Sequence, residues 1–195
     1  MPIKPDRQYR SCQEFRAAEA DDYIVEGYAS TFEPYLMWED GDTKYYERID
    51  PHAFDAADMS DVIMQYDHAG RVYARQSNGT LQLSTDEHGL KVRADLSKTE
   101  GSRALYEDIK SGMITRMSFA FTVAEDSYDR ETHTRSVLRV KRLYDVSAVS
   151  IPANPGTEIS ARSYFEGVIE ADRLEQMEAE QRAPDIAVLA LLLEV

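Results

Sequence analysis

The chain predicts a mainly β fold with helices, an α+β class, and three observations carry that expectation. Short alternating runs bounded by Gly, Pro, Asn and Asp dominate from Tyr9 to Ile151. Two segments with helix start and stop signals interrupt them, and the character changes after Pro152 to an acidic, helix-forming stretch. With 195 residues, 43% of them hydrophobic, one domain with a sizeable core and an appendage is expected.

The strands expected, in order, are Ser11 to Arg16, Tyr23 to Phe32, Tyr45 to Ile49, Val62 to Tyr66, Thr80 to Ser84, Leu90 to Leu96, Arg116 to Ala124, Ser136 to Leu143 and Asp145 to Ile151, enough for a β-barrel. Asn78-Gly79 and His88-Gly89 separate successive runs and read as hairpin turns. Asp50 as N-cap and Pro51 at the first helical position predict a short helix over His52 to Asp58. Thr99 caps a second helix through Ala104, Leu105 and Ile109 that stops at Gly112 and leads into the strand beginning at Arg116.

After Pro155-Gly156, a helix from about Tyr164 to Arg182 carries a loose apolar stripe of Phe165, Val168, Ile169, Leu174 and Met177, and Ala183-Pro184 breaks it. The chain therefore divides at about residue 163, into a domain over 1–163 and an acidic helical tail over 164–195.

Charge and cysteine usage narrow the function classes. A net charge of -14 with scattered Lys and Arg argues against general nucleic-acid binding and suits basic partners or substrates. The single cysteine, Cys12, precludes an internal disulfide, and the first residues have no apolar run of signal-peptide type, so an intracellular, reducing setting is expected. The longest apolar stretch, Ile186 to Val195, is too short to span a bilayer, and no membrane association is expected.

Arg116-Met117-Ser118-Phe119-Ala120-Phe121 is the segment richest in chemical implication. Strand alternation puts Met117, Phe119 and Phe121 on the core face and Ser118, Ala120 and Thr122 on the other. A serine so placed is a candidate nucleophile, which requires a histidine to take its proton and a third group to orient that histidine. His68 follows Val62, Met64 and Tyr66 on one strand face and precedes Ala69-Gly70, where a half-buried strand emerges into a loop. It reads either as that base or as a strand cap. His52, His88 and His133 sit in polar or turn contexts and read as surface residues.

Asp145 shares a strand face with Ser147, opposite Tyr144, Val146 and Ala148, and an aspartate in so apolar a strand needs a partner. That partner is open between His68 and an arginine, and Asp67, His133 or a water remain alternatives as the third member. His52, Asp67, His68 and His88 supply the atoms of a metal site, but no pair has compact ligand spacing and no cysteine cluster exists. Glycine-rich phosphate loops are absent as well, so neither cofactor nor metal is expected.

Five motifs in order then carry a family likeness. Glu26-Gly27-Tyr28-Ala29-Ser30-Thr31-Phe32, Glu47-Arg48-Ile49-Asp50-Pro51-His52-Ala53-Phe54, Asp67-His68, Met117-Ser118-Phe119-Ala120-Phe121, and Asp145-Val146-Ser147 through Ile151-Pro152-Ala153 resemble the prohead serine proteases of tailed bacteriophages, across roughly residues 9 to 163. The resemblance implies a fold like that of herpesvirus assemblins, a β-barrel wrapped by helices, with His68 as base, Ser118 as nucleophile and Asp145 as third member.

It also implies a serine endopeptidase that cleaves scaffold or the scaffold-like arm of the major capsid protein, and often itself, within the assembling procapsid in the host cytoplasm. A homodimer or higher oligomer is compatible with that role, and the alternative is a non-catalytic assembly protein that kept the barrel. The chain departs from the family pattern in having Asp67 before and Ala69 after the histidine, Ala120 where glycine is usual, and Asp145 where glutamate is common. The shorter acid keeps its charge and loses a methylene of reach.

Overall fold

The computed structural model describes residues 7–12, 15–18, 23–150, 164–171, 173–175 and 177–178. Among these residues eleven strands and two α-helices run in the order β1 (Gln8–Cys12), β2 (Phe15–Ala17), β3 (Ile24–Thr31), β4 (Tyr35–Asp40), β5 (Thr43–Ile49), β6 (Ile63–Tyr66), β7 (Ala69–Arg75), β8 (Leu81–Thr85), β9 (Gly89–Asp95), α1 (Glu100–Lys110), β10 (Arg116–Asp129) and β11 (Thr134–Val149), then α2 within 164–178. The α+β class expected from the sequence is the class observed.

The strands form two sheets. The larger has the order β1-β10-β11-β5-β4, with β6 also beside β11 and β7 outside β6; the smaller has the order β2-β3-β9-β8. The expected barrel is not closed. One reason lies in the run expected as a single strand from Ser11 to Arg16, which divides between the sheets. Its first part, through Cys12, pairs with β10 of the larger sheet and its second, from Phe15, with β3 of the smaller, so the run supplies no single ladder between the two sheets.

The segment at 50–58 is a series of turns rather than a helix. Asp50 Oδ1 does accept from the His52 amide, as a cap should. The carbonyl of Ala53, however, accepts from the Val140 amide, and that of Asp58 from the Leu143 amide. The Ala57 amide goes to Phe54 instead of to Ala53. Bonds to β11 thus displace the intrahelical ladder and pin Phe54 into the core.

Two strands escaped the sequence pattern for local reasons. In β4 a register shift between Leu36 and Trp38 breaks the alternation, and β7 is an edge strand with four exposed residues at its start. Asn78-Gly79 ends a 3₁₀ turn, with Gly79 at φ 76°, and carries the chain from the larger sheet to the smaller instead of closing a hairpin. His88-Gly89 does close one, between β8 and β9.

Thr99 caps α1 through its side chain, which accepts from the Ser102 amide, a contact worth about 1 kcal/mol. Ser102, Leu105, Tyr106 and Ile109 recur at helical spacing and form its buried face, while Gly112 at φ 79° turns the chain toward β10. There Met117, Phe119 and Phe121 enter the main core with Val25, Val92, Met64 and Val146.

β10 and β11 pair along their length, and β11 takes up both runs that the sequence suggested as separate strands. The break between those runs marks a bulge. Ala120 pairs with Asp145 and Phe121 with Leu143, so Tyr144 has no partner across the ladder. Leu143 rather than Tyr144 therefore fills the core, and Tyr144 lies beneath the Arg7 guanidinium at 3.9 Å from its ring centroid.

A second buried cluster joins α2 to the larger sheet through Tyr45, Tyr164 and Phe165, with Met37, Trp38, Tyr128, Val168 and Ile169 packed around them. Beneath it lies an ionic network. Glu47 accepts from Arg10, Arg135 and Tyr35, while Arg135 also bonds Asp126 and Gln8 and lies over the Tyr164 ring at 4.2 Å. Burial pushes the Glu47 carboxyl up, but Arg10 and Arg135 outweigh it and hold the group at about 2; burial likewise raises the Tyr164 hydroxyl, to about 12. The Pro155-Gly156 turn, the helix end at Arg182, the Ala183-Pro184 break and the apolar terminus lie outside the described residues.

Replacing Glu47 with Gln leaves the buried Arg10 guanidinium without its anion and Arg135 with Asp126 alone, and should cost about 3–5 kcal/mol in urea unfolding at neutral pH. Because the native carboxyl titrates below its ordinary value, its contribution is full above about 4.5 and lost as pH falls toward about 2. The stability gap between wild type and Glu47→Gln should therefore narrow across that window, and a gap independent of pH would contradict the assignment.

Candidate active site

Ser118, Asp145 and His68 arrive at one point from three elements. Ser118 lies in β10 directly opposite Ser147 of β11 on one side and Ser11 of β1 on the other. Ala120, two residues on, lies opposite Asp145 and Tyr9. Residues paired in register share a face, so Ser118, Asp145 and Ser147 all point away from Phe119 and the core.

His68 reaches that face by a route strand alternation does not supply. Tyr66 pairs with Ala69, so Asp67-His68 is a two-residue loop between β6 and β7. Both residues have positive φ, 47° and 58°, as a type I′ turn requires. The side chain of His68 therefore does not continue the Met64 face, as the expected parity had it; the left-handed turn brings it over β10 and β11. A non-glycine residue held there stores strain of order 1–3 kcal/mol and needs support from its surroundings. Asp67 provides some of it. Its amide bonds the Ala148 carbonyl, and its carboxylate accepts from the amide and hydroxyl of Ser150 at 2.9 and 2.8 Å.

Two short hydrogen bonds complete the arrangement. His68 Nδ1 lies 2.6 Å from Asp145 Oδ1 and His68 Nε2 lies 2.6 Å from Ser118 Oγ. An ionised carboxylate can only accept, so Nδ1 carries the proton and, in the neutral ring, Nε2 accepts from the serine hydroxyl. The Tyr9 ring meets the imidazole edge-on at 4.7 Å. The His68 and Asp145 side chains are only 7% and 4% exposed, which strengthens the bonds between them. The face opens to solvent at Ser11, one strand away from Ser118.

The other candidates go elsewhere. Asp67 holds the turn, and His133 closes the β10–β11 hairpin beside Tyr128 and Tyr45. His52 Nδ1 pairs with Asp55, and the His88 ring meets that of Tyr28. Among the described residues no three His, Cys, Asp or Glu side chains are grouped to hold a metal ion. Asp145 has His68 as its partner in place of an arginine, and the aspartate spans the gap without the methylene that glutamate would add.

The family model for the caudovirus prohead serine protease matches residues 11–170. The chain belongs to that family. The prohead protease of Enterobacteria phage HK97 is 30% identical over 149 residues, a match covering 74% of this chain and 62% of that protein. No solved structure matches. The family match takes in β10, the His68 turn, the Asp145 strand and the first turns of α2.

Tyr9, Ser147 and Asp67 contribute contacts that sequence reasoning left unassigned. The alternation Asp145-x-Ser147 in a strand was a readable signal for one of them, since it puts both oxygens on one face. Tyr9 had no such signal, because its contact depends on a pairing more than 100 residues away along the chain.

Asp67→Ala removes both bonds to Ser150 and a residue that tolerates the left-handed region, and should lower stability by roughly 1–3 kcal/mol. Asp67→Asn should fall between it and wild type in thermal melting. An alanine variant as stable as wild type would show that the clamp contributes nothing.

Proposed function

We propose that the chain is a serine endopeptidase of phage head maturation that cleaves scaffold or the scaffold-like arm of the major capsid protein, and itself, inside the procapsid. The observation that carries this reading is the pair of 2.6 Å hydrogen bonds that His68 makes to Ser118 and Asp145. Membership of the prohead serine protease family and the name of the HK97 relative support it. The non-catalytic alternative called for a histidine and serine beyond reach of each other.

The chemistry follows from the hydrogen-bond directions. As Ser118 Oγ attacks a peptide carbonyl, His68 Nε2 takes its proton, and Asp145 keeps the ring in the required tautomer and offsets the charge of the imidazolium. The C–N bond then breaks as His68 returns the proton to the departing amine, leaving an acyl group on Ser118. Water, deprotonated by the same nitrogen, releases the acid and restores the hydroxyl.

The chain is proposed to act as a protease domain over 1–163 with a tail over 164–195 available for removal. Burial of Tyr164 and Phe165 against the sheet means that a cut removing the whole tail would also strip a packed aromatic cluster from the fold.

Ser118→Ala should fold normally and leave the phage's own capsid protein uncut in a purified mixture; cleavage at the wild-type rate would end the assignment. Asp145→Asn should retain the fold and lose roughly 10³- to 10⁴-fold in turnover, through loss of the tautomer-fixing acceptor. Mass spectrometry of the stored wild-type protein should show a Ser118-dependent loss of C-terminal mass, and a full-length chain stable over days would contradict self-cleavage.

A further inference from the structure

The Asp145 carboxylate has a second partner that neither the family match nor the triad reading assigns. Ser147, two residues along β11 on the same face, donates from Oγ to Asp145 Oδ1 at 2.7 Å. This is the oxygen that also meets His68 Nδ1 at 2.6 Å. Ser147 is fully buried and stands in register opposite Ser118, so its hydroxyl cannot exchange this bond for one to water without the face opening. We propose that Ser147 is a positioning residue that fixes the rotation of the Asp145 carboxylate so that one oxygen stays aimed at His68. The proposal rests on the triad reading above.

The physical need is specific to an aspartate in this place. A carboxylate two bonds from the backbone can turn about its terminal torsion, which is broad, and present either oxygen or an edge between them. A histidine held on a strained turn tolerates little error in its acceptor, because a misplacement of about 1 Å in a catalytic group costs on the order of 10²-fold in rate. A donor on the same strand face, at fixed spacing, removes that freedom. A buried serine hydroxyl also has few other outlets and would be costly to leave unpaired.

The test compares hydroxyl with shape. Ser147→Thr keeps the donor and Ser147→Val has nearly the same volume without it, while Ser147→Ala covers the case in which the larger side chains do not fit. Cleavage of the phage's capsid protein over a range of concentrations gives kcat and KM, and proton NMR follows the solvent-shielded His68 Nδ1–H. The expected result is a fall in kcat of roughly 10- to 100-fold in Val and Ala with KM little changed, loss or upfield movement of that resonance, and recovery of both in Thr.

Ser118→Ala is run beside them. If wild type itself does not cleave, or Ser118→Ala still does, the triad reading fails. If wild type cleaves and Ser118→Ala does not, this inference alone is overturned when Val or Ala keeps the wild-type kcat, or when Thr is as slow as Val.

Discussion

β11 is the strand on which the site depends. It pairs with β10 along one side and, on its other side, with β5 at its start and β6 near its end. The last pairing suspends the Asp67-His68 turn beside Asp145, and the first ladder sets Ser118 against Ser147. Two catalytic candidates are thereby fixed by backbone hydrogen bonds, and the third hangs from a turn whose position is set by the same strand. The bulge at Tyr144 lies where this ladder carries Leu143 and Val146 into the core and Asp145 onto the opposite face, against His68.

The fold contains two opposite kinds of interior. Around Met117, Phe119 and Phe121 the core is apolar and insensitive to pH. Under α2, charge takes over, with Glu47 between two arginines and Arg135 against the face of Tyr164. A network of this kind adds little net stability over an apolar packing of equal volume, yet any single break in it is costly. Arg10 connects the two regions, since it binds Glu47 and its guanidinium lies 5.6 Å from the centroid of the Phe121 ring.

Much of this was legible in the residues, for reasons of period and chemistry. Alternation in β10 separated Ser118 from Met117, Phe119 and Phe121, and an aspartate within an apolar run announced that Asp145 needs a partner. Thr99 and Gly112 bounded α1 because cap and stop have distinct chemistry. His68 stood out through the family resemblance and through a face argument that the left-handed turn invalidates; Asp-His lacks the glycine that marks such turns, so the turn itself was not legible. The turns at 50–58 carried helix signals that bonds to Val140 and Leu143 override. Nothing in the sequence set Glu47, Arg10 and Arg135 apart as a buried network, because their burial is a property of three strands assembled together.

The central claim is that Ser118 is a nucleophile activated by His68. Treating the purified chain with a fluorophosphonate and mapping the adduct by peptide mass spectrometry tests it without knowledge of the cleavage site. The expected result is a single stoichiometric adduct on Ser118 that disappears in His68→Ala. Labelling of another serine, or equal labelling of Ser118 in the absence of the histidine, would contradict it.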